Sequence, residues 1–239
     1  MKFIRRKRNM ILHMIMAFLG GGTAIYSIMM RGNFGQAQTA NLTELVAHIV
    51  LGESWYNVFC RIIAFILFMS GLAITHSMKE KVRSQKIEII CWGVEAACIF
   101  IAGAIPKTID NIEALWPVFF MTGFQWGVFS GADGFNCSTI FCSNNCRQAL
   151  YGWMDFARTK KHRSFSQGRF YTLTVISFYF GAFYAGYMNR LIGIESIRME
   201  IVPVVFALLI WFLSGSLKRE EHEPFTEGPQ NLRRGSDEL

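Results

Sequence analysis

The chain has 239 residues, of which 52% are hydrophobic and 17% charged, with 24 Lys and Arg against 17 Asp and Glu and a formal net charge of +7. A soluble domain carries about a quarter charged residues, and here the charges gather at the two ends and in a few loops, so composition excludes an ordinary soluble globular protein and points to a multi-pass membrane protein. The basic excess follows from that segregation and requires no nucleic-acid partner.

A helix crosses a bilayer with about 20 apolar residues. In chain order, a basic segment at 1–8 precedes a first apolar span at 9–30. The start is like that of a signal peptide, but the apolar run is too long and no small-x-small cleavage site precedes a polar region, so it reads as an uncleaved first helix. A Gly-rich polar interruption at 32–41 follows, then a short helix over 41–53 and spans at 56–77 and 88–105. The fourth span, 114–132, is weakened by Gly123, Gln125 and Gly127. A second interruption at 133–144 leads to a short helix over 144–156, then to spans at 170–189 and 199–217. The polar tail at 218–239, with Pro224, Gly228, Pro229 and Gly235, is expected to be disordered and cytoplasmic.

Lys and Arg favour the cytoplasmic side in short loops. Nineteen of the 24 basic residues fall at the two ends and in the loops after spans two and four. The other side holds Arg31, Lys107, Arg190 and Arg198, and Arg61 lies inside a span. This alternation predicts six crossings with both termini cytoplasmic.

The two interruptions read as copies of one device. Asn33 matches Asn136, Thr39 matches Cys142 and Asn41 matches Asn144; further on, Gly71 matches Gly181, and Glu88-Ile89 matches Glu200-Ile201. The expected fold is therefore an all-α integral membrane protein of six transmembrane helices in a 3+3 inverted-topology repeat, with halves at 9–106 and 107–217. Each half carries a short re-entrant or interfacial helix. Three crossings per half oblige the second copy to insert upside down, and Gly-interrupted apolar segments at matching places point to a transporter binding site. Thr39 or Asn41 would cap the first short helix, with Glu44 at the capping-box position of Asn41, and Ser143 or Asn144 the second.

These motifs resemble the YoaK-like family of bacterial multi-pass membrane proteins with a domain of unknown function. The resemblance rests on Gly20-Gly21-Gly22-Thr23, Arg31-Gly32-Asn33-Phe34, Ala37-Gln38-Thr39-Ala40-Asn41, Gln125, and Thr139 through Arg147. Ala40 and Ser143 stand where the family shows glycine, and Cys142 where it shows threonine. A role that needs a positive φ at those glycines is put in doubt. The resemblance implies the bacterial inner membrane and supplies neither reaction nor substrate.

The candidate substrate-binding residues are Gln38, Thr39, Asn41, Thr139, Ser143 and Asn144, because two helix N-termini with free N–H groups and amides would hold a small polar or anionic solute. Self-capping of the broken backbone is the alternative for the same side chains. Glu95, halfway along the third span, is a candidate for proton or ion coupling, with His13 and Gln125 as candidate partners; structural glue between helices is its alternative. Asp133, where the fourth helix ends, is a cation ligand or a turn cap. Arg61 and Arg147 read as interface anchors. His13 among Met10, Met14 and Met16 reads as packing. The six cysteines suggest neither disulfides nor a zinc site, since the Cys137, Cys142, Cys146 spacing lacks a nearby His cluster.

The leading expectation is a small secondary transporter or permease; the alternative is a non-transporting membrane interaction or regulatory protein. The expected partners are the lipid bilayer, a small polar or anionic solute and another copy of the chain. No nucleic acid, metal, cofactor or enzymatic activity is expected.

Overall fold

The structure, a computed structural model, describes residues 2–214, with side chains from residue 7 onward. The tail at 218–239 lies outside the described residues, as do the side chains at 1–6. The helices are α1 (Lys2–Arg31), α2 (Gln38–Val50), α3 (Trp55–Lys81), α4 (Ser84–Ala104), α5 (Trp116–Val128), α6 (Ser143–Thr159), α7 (His162–Ile192) and α8 (Ile201–Leu213). Turns of 3-10 helix at Glu113–Leu115 and Gly193–Glu200 lead into α5 and α8. A two-residue hairpin, β1 (Gly131–Ala132) with β2 (Phe135–Asn136), is the one sheet among the described residues.

Four stretches are long and apolar enough to cross a membrane: Lys7–Arg31, Trp55–Lys81, Ser84–Ala104 and His162–Leu213. The last is two limbs. Gly193 takes a φ of +64°, a conformation that glycine enters without a Cβ penalty, and the chain turns back there. Tyr26 of α1 donates to the Ile194 carbonyl at 3.2 Å, whereas Glu200 abuts Gly22, so α8 retraces α1 in the direction opposite to α7. The fold is that of an all-α membrane protein.

The spans expected at 114–132 and 199–217 are shorter than predicted. As helices they are α5 and α8, thirteen residues each, about 20 Å long against a hydrocarbon core of about 30 Å. Pro117, which has no N–H to give, sits in the first turn of α5 and sets its start. The apolar residues ahead of each helix are taken up by the 3-10 turns.

Packing is reciprocal. α1 lies mainly on α7 and then α8; α5 lies mainly on α3 and then α4. α2 packs on α3 and α6 on α7. At the first crossing a Cβ on Gly21 would overlap the Phe178 carbonyl, and one on Gly181 would overlap that of Phe18. At the second, a Cβ on Gly123 would overlap the Phe68 carbonyl, and one on Gly71 would crowd Phe120 O at 2.6 Å and Phe124 N at 2.7 Å. Small residues let membrane helices approach backbone to backbone. Between the crossings lies a core that includes Leu12, Met16, Leu19, Trp92, Phe119 and Met121, with the Trp92 indole donating to Met16 Sδ at 3.3 Å.

The outer faces carry large exposed apolar side chains, among them Ile62, Ile66, Phe100, Phe180, Phe183 and Phe206. An aqueous surface would penalise so large an apolar area, and lipid would not. Two arginines close the C-terminal end of α4. Arg31, 1% exposed, donates to the Ile105 carbonyl at 2.8 Å and the Pro106 carbonyl at 3.3 Å. Arg198 donates to the Gly103 carbonyl at 2.9 Å. Cations there answer the partial negative charge of a helix C-terminus.

Candidate functional site

Both polar interruptions fold back to one level of the bundle, with α1 as the ruler. Residues 32–37 leave α1 at Arg31 and run back along it. Asn33 N donates to the Ser27 carbonyl at 3.2 Å, Gly35 packs against Ser27, and Gln36 Nε2 reaches the Gly20 carbonyl at 2.7 Å. Gly20 lies eleven residues before Arg31, about 16 Å along a helix axis. α2 starts there and returns antiparallel to α3, to which a short turn joins it and on which it packs, with the Arg61–Glu44 ion pair at 2.6 Å between them.

The second interruption arrives from the other end. After the hairpin, residues 137–142 come up to α1, where a Cβ on Gly20 would overlap the Thr139 carbonyl. Gln125 Nε2 donates to the Met16 carbonyl at 2.8 Å and to Thr139 Oγ1 at 2.9 Å. α6 then leaves antiparallel to α7, Gly152 packing on Gly168 two residues before Phe170, whose ring lies 5.2 Å from that of His13. The interruptions meet beside Gly20, where Gln36 Nε2 also donates to the Ile140 carbonyl at 3.2 Å. Each holds a Gln–Thr contact: Thr23 Oγ1 lies 3.4 Å from Gln36 Oε1, and Gln125 bonds Thr139. Irregular backbone at such depth survives only inside protein or around a water-filled cavity, and these amides supply the partners it needs.

The candidates take several different places. Thr139 is fully buried in this junction. Asn41, 5% exposed, donates Nδ2 to the Phe34 carbonyl at 2.5 Å. Asn145 makes a similar contact in the second interruption, donating to Ser138 O at 2.7 Å and Phe141 O at 2.8 Å. Asn144, matched with Asn41 from sequence, is exposed and accepts from Arg147 at 2.7 Å; Ser143 is exposed too. Of the tandem asparagines only Asn145 faces inward on the helix.

Neither Asn41 nor the Ser143–Asn144 pair is an N-cap. α2 and α6 begin after Ala37 and Cys142, neither of which makes a side-chain cap bond. The capping box at Asn41 does not form, because Asn41 lies a turn inside α2; Glu44 pairs instead with the Arg61 guanidinium, which also donates to Asn33 Oδ1 at 3.3 Å. Arg61 is a buried tie between α2, α3 and the first interruption rather than an interface anchor. Ala40 and Ser143 lie within helices with no positive φ, so these replacements of the family glycine carry no backbone strain. Thr39 is exposed, and its carbonyl accepts from Thr43 at 2.8 Å. Gln38 is half-buried, with both amide atoms enclosed and unpartnered among the described residues.

Glu95 is fully buried; its Oε1 accepts from Cys91 Sγ at 3.6 Å and its Oε2 has no partner among the described residues. The partners expected for it go elsewhere: Gln125 to Met16 and Thr139, His13 to the Phe170 ring. Asp133 is exposed at the hairpin tip with a φ of 53°, followed by Gly134 at 81°. An Asp-Gly pair with both φ positive is the two-residue turn that a hairpin favours, so Asp133 makes a turn and stands apart from the junction. Glu200, 1% exposed with both oxygens unpartnered, was missed as a site residue; its signal was the match to Glu88. No group of His, Cys, Asp and Glu able to hold a metal ion occurs among the described residues.

Long apolar helices, reciprocal crossings and two buried polar interruptions define a helical membrane protein. The chain belongs to the family described as "Protein of unknown function (DUF1275)", whose profile matches residues 12–213. The resemblance to YoaK-like proteins is consistent with that membership. Neither the curated proteins nor the solved structures contain a match to the chain.

Proposed function

We propose that this protein is a small secondary transporter or permease for a small polar or anionic solute, seated in a bacterial inner membrane. In this reading the halves 9–106 and 107–217 are inverted copies that cross six times, α5 and α8 making the two short crossings, with both termini cytoplasmic. Supporting it, α1 relates to α7 and α8 as α5 relates to α3 and α4. The Arg61–Asn33 contact also has a counterpart, Tyr171 donating to the Asn136 carbonyl at 2.5 Å.

The observation that carries the reading is the meeting of the two interruptions, Gln36 on Ile140, with α2 and α6 leaving in opposite directions. Paired half-helices starting near the midplane offer backbone N–H groups and partial positive charge to a solute. Both helix starts lack a side-chain cap, and Gln38, Asn41 Oδ1, Asn145 Oδ1 and Gln125 Oε1 are buried polar groups with no partner among the described residues. The Gln36–Ile140 and Gln125–Thr139 contacts are then a closed gate. Substrate contacts fall to Gln38, Thr39, Asn41, Thr139 and Asn145, and coupling to Glu95. The lipid bilayer and a second copy of the chain are the proposed macroscopic partners, and no enzymatic step is part of the reading.

The test is cysteine accessibility in intact membranes. Gln36→Cys and Thr139→Cys are placed singly in a background lacking the six native cysteines and treated with a membrane-impermeant thiol reagent from each side. Labelling of Cys at 36 from the outside and at 139 from the cytoplasm supports a gated water path. If neither position reacts from either side, the transport reading falls. A second reading, a non-transporting interaction protein, is favoured by one observation: Asn41 and Asn145 donate to backbone carbonyls of their own interruptions. It predicts that second outcome.

A further inference from the structure

Glu200 closes the 3-10 turn before α8 and packs against Gly22 of α1, where any Cβ would overlap its carboxyl group. Neither carboxyl oxygen has a hydrogen-bond partner among the described residues, and the residue is 1% exposed. Glu95 is the second buried acid on this side of α1, and Glu88 the third. Glu88 pairs with Arg8 of α1 and lies beside the Trp211 indole of α8. Counted along the helices from that level, Glu95 lies about 10 Å and Glu200 about 16 Å into the bundle.

A carboxyl serving as structural glue needs a bond to a neighbouring helix, and Glu200 has none among the described residues. The neutral acid fits against Gly22; a carboxylate there has neither cation nor donor to answer it. The titratable and charged groups on the surrounding elements are Arg8, His13, Tyr26 and Arg31 of α1, Glu88, Cys91, Glu95 and Cys98 of α4, Tyr184 of α7, and Glu195 and Arg198 of the turn itself. Arg31 and Arg198 are taken up by carbonyls at the end of α4, Arg8 by Glu88, and Tyr184 by the Met199 carbonyl at 3.3 Å.

We propose that Glu200 is a proton-binding site whose occupancy is read by α1 through Gly22. With the proton bound, α1 closes on the carboxyl. For release, α1 moves off the start of α8, water enters, and the acid gives its O–H proton to water, leaving a carboxylate and a hydronium ion. Glu95 is the next acid along the same face of the bundle. That the proton serves as a coupling ion rests on the transport reading; the binding site does not.

The experiment is pH-difference infrared spectroscopy of the full chain in nanodiscs, with no solute present, between about pH 5 and about pH 9, a range that spans documented buried glutamates. A protonated-carboxyl band that titrates in the wild type and loses at least half its amplitude in Glu200→Gln is expected. Gly22→Ala should move its midpoint by about one pH unit or more. If Glu200→Gln does not fold, Glu200→Asp serves in its place and should shift the band. A band that E200Q or E200D leaves unchanged, or one that stays fixed across the range, overturns the site. A midpoint that ignores Gly22→Ala overturns the coupling to α1. Failure of the transport reading leaves each of these results standing, and failure here leaves the cysteine accessibility test standing.

Discussion

Gly21 and Gly181 bring two helix backbones into contact, and the energetic consequence is local. Gly21→Ala places a Cβ inside the Phe178 carbonyl, so one helix must shift; overpacking of this kind costs about 1–3 kcal/mol. Gly93 in α4 has open space where a Cβ would go, and replacing a helical glycine by alanine there is expected to gain about 0.5–1 kcal/mol. Thermal unfolding in detergent should therefore lower the midpoint for Gly21→Ala and keep or raise it for Gly93→Ala. The same scale explains which candidates came together. Thr139 and Gln125 are joined because each supplies what the other lacks, a hydroxyl acceptor and an amide donor. Asp133 is absent from the junction because its left-handed φ belongs to a turn.

At the scale of elements, the segment from the hairpin into α6 joins a buried loop to an exposed helix. Burial pushes the Cys137 thiol up to about 12, and burial first, then neighbouring thiols, pushes Cys142 up to about 12. Cys146, one turn into α6, is exposed. Because the thiolate is the reactive form, a maleimide at neutral pH should modify Cys146 well before Cys137, and Cys137 should stay slow up to about pH 9. The sign for stability follows from the raised values. The contribution of these thiols is complete below the ordinary thiol range and is lost as pH rises from about 9 towards about 12, where the folded state must also ionise. Unfolding midpoints should fall across that alkaline window, and Cys137→Ala should flatten the fall. Arg61→Ala is the matching probe of α2. It leaves the half-exposed Glu44 unpaired and frees Asn33, so the impermeant thiol reagent should reach Cys at the half-buried position 38 at least about threefold faster, while the α6 side keeps its rate. Equal rates on both sides would mean that Arg61 does not hold α2 in place.

At the scale of the whole molecule, two of the four basic residues predicted away from the cytoplasm, and Arg61 within a span, have structural employment. Arg31 and Arg198 close α4, and Arg61 ties α2 to α3. Their positions therefore leave the charge asymmetry of the loops as the orienting signal. Epitope tags at the two termini should both be reachable from the cytoplasmic side alone, and a tag in the loop at 106–112 from the other side alone. A C-terminus on the opposite side would mean that α5 and α8 do not both cross.

The membrane class, the long apolar helices and the polar interruptions were legible in the sequence, because apolar length and Gly-rich polar breaks are local properties of a chain. The same local signal carried the family membership. What the sequence left open was decided by packing. Whether a thirteen-residue helix begins in mid-bundle depends on a carbonyl eleven residues back along α1. Whether Asn144 or Asn145 faces inward depends on the phase of α6 against α7. Whether Glu95 meets His13 depends on which side of α1 each neighbour occupies. Glu200 and Gly22 are far apart in the chain, and only the return of α8 along α1 sets the acid against the glycine.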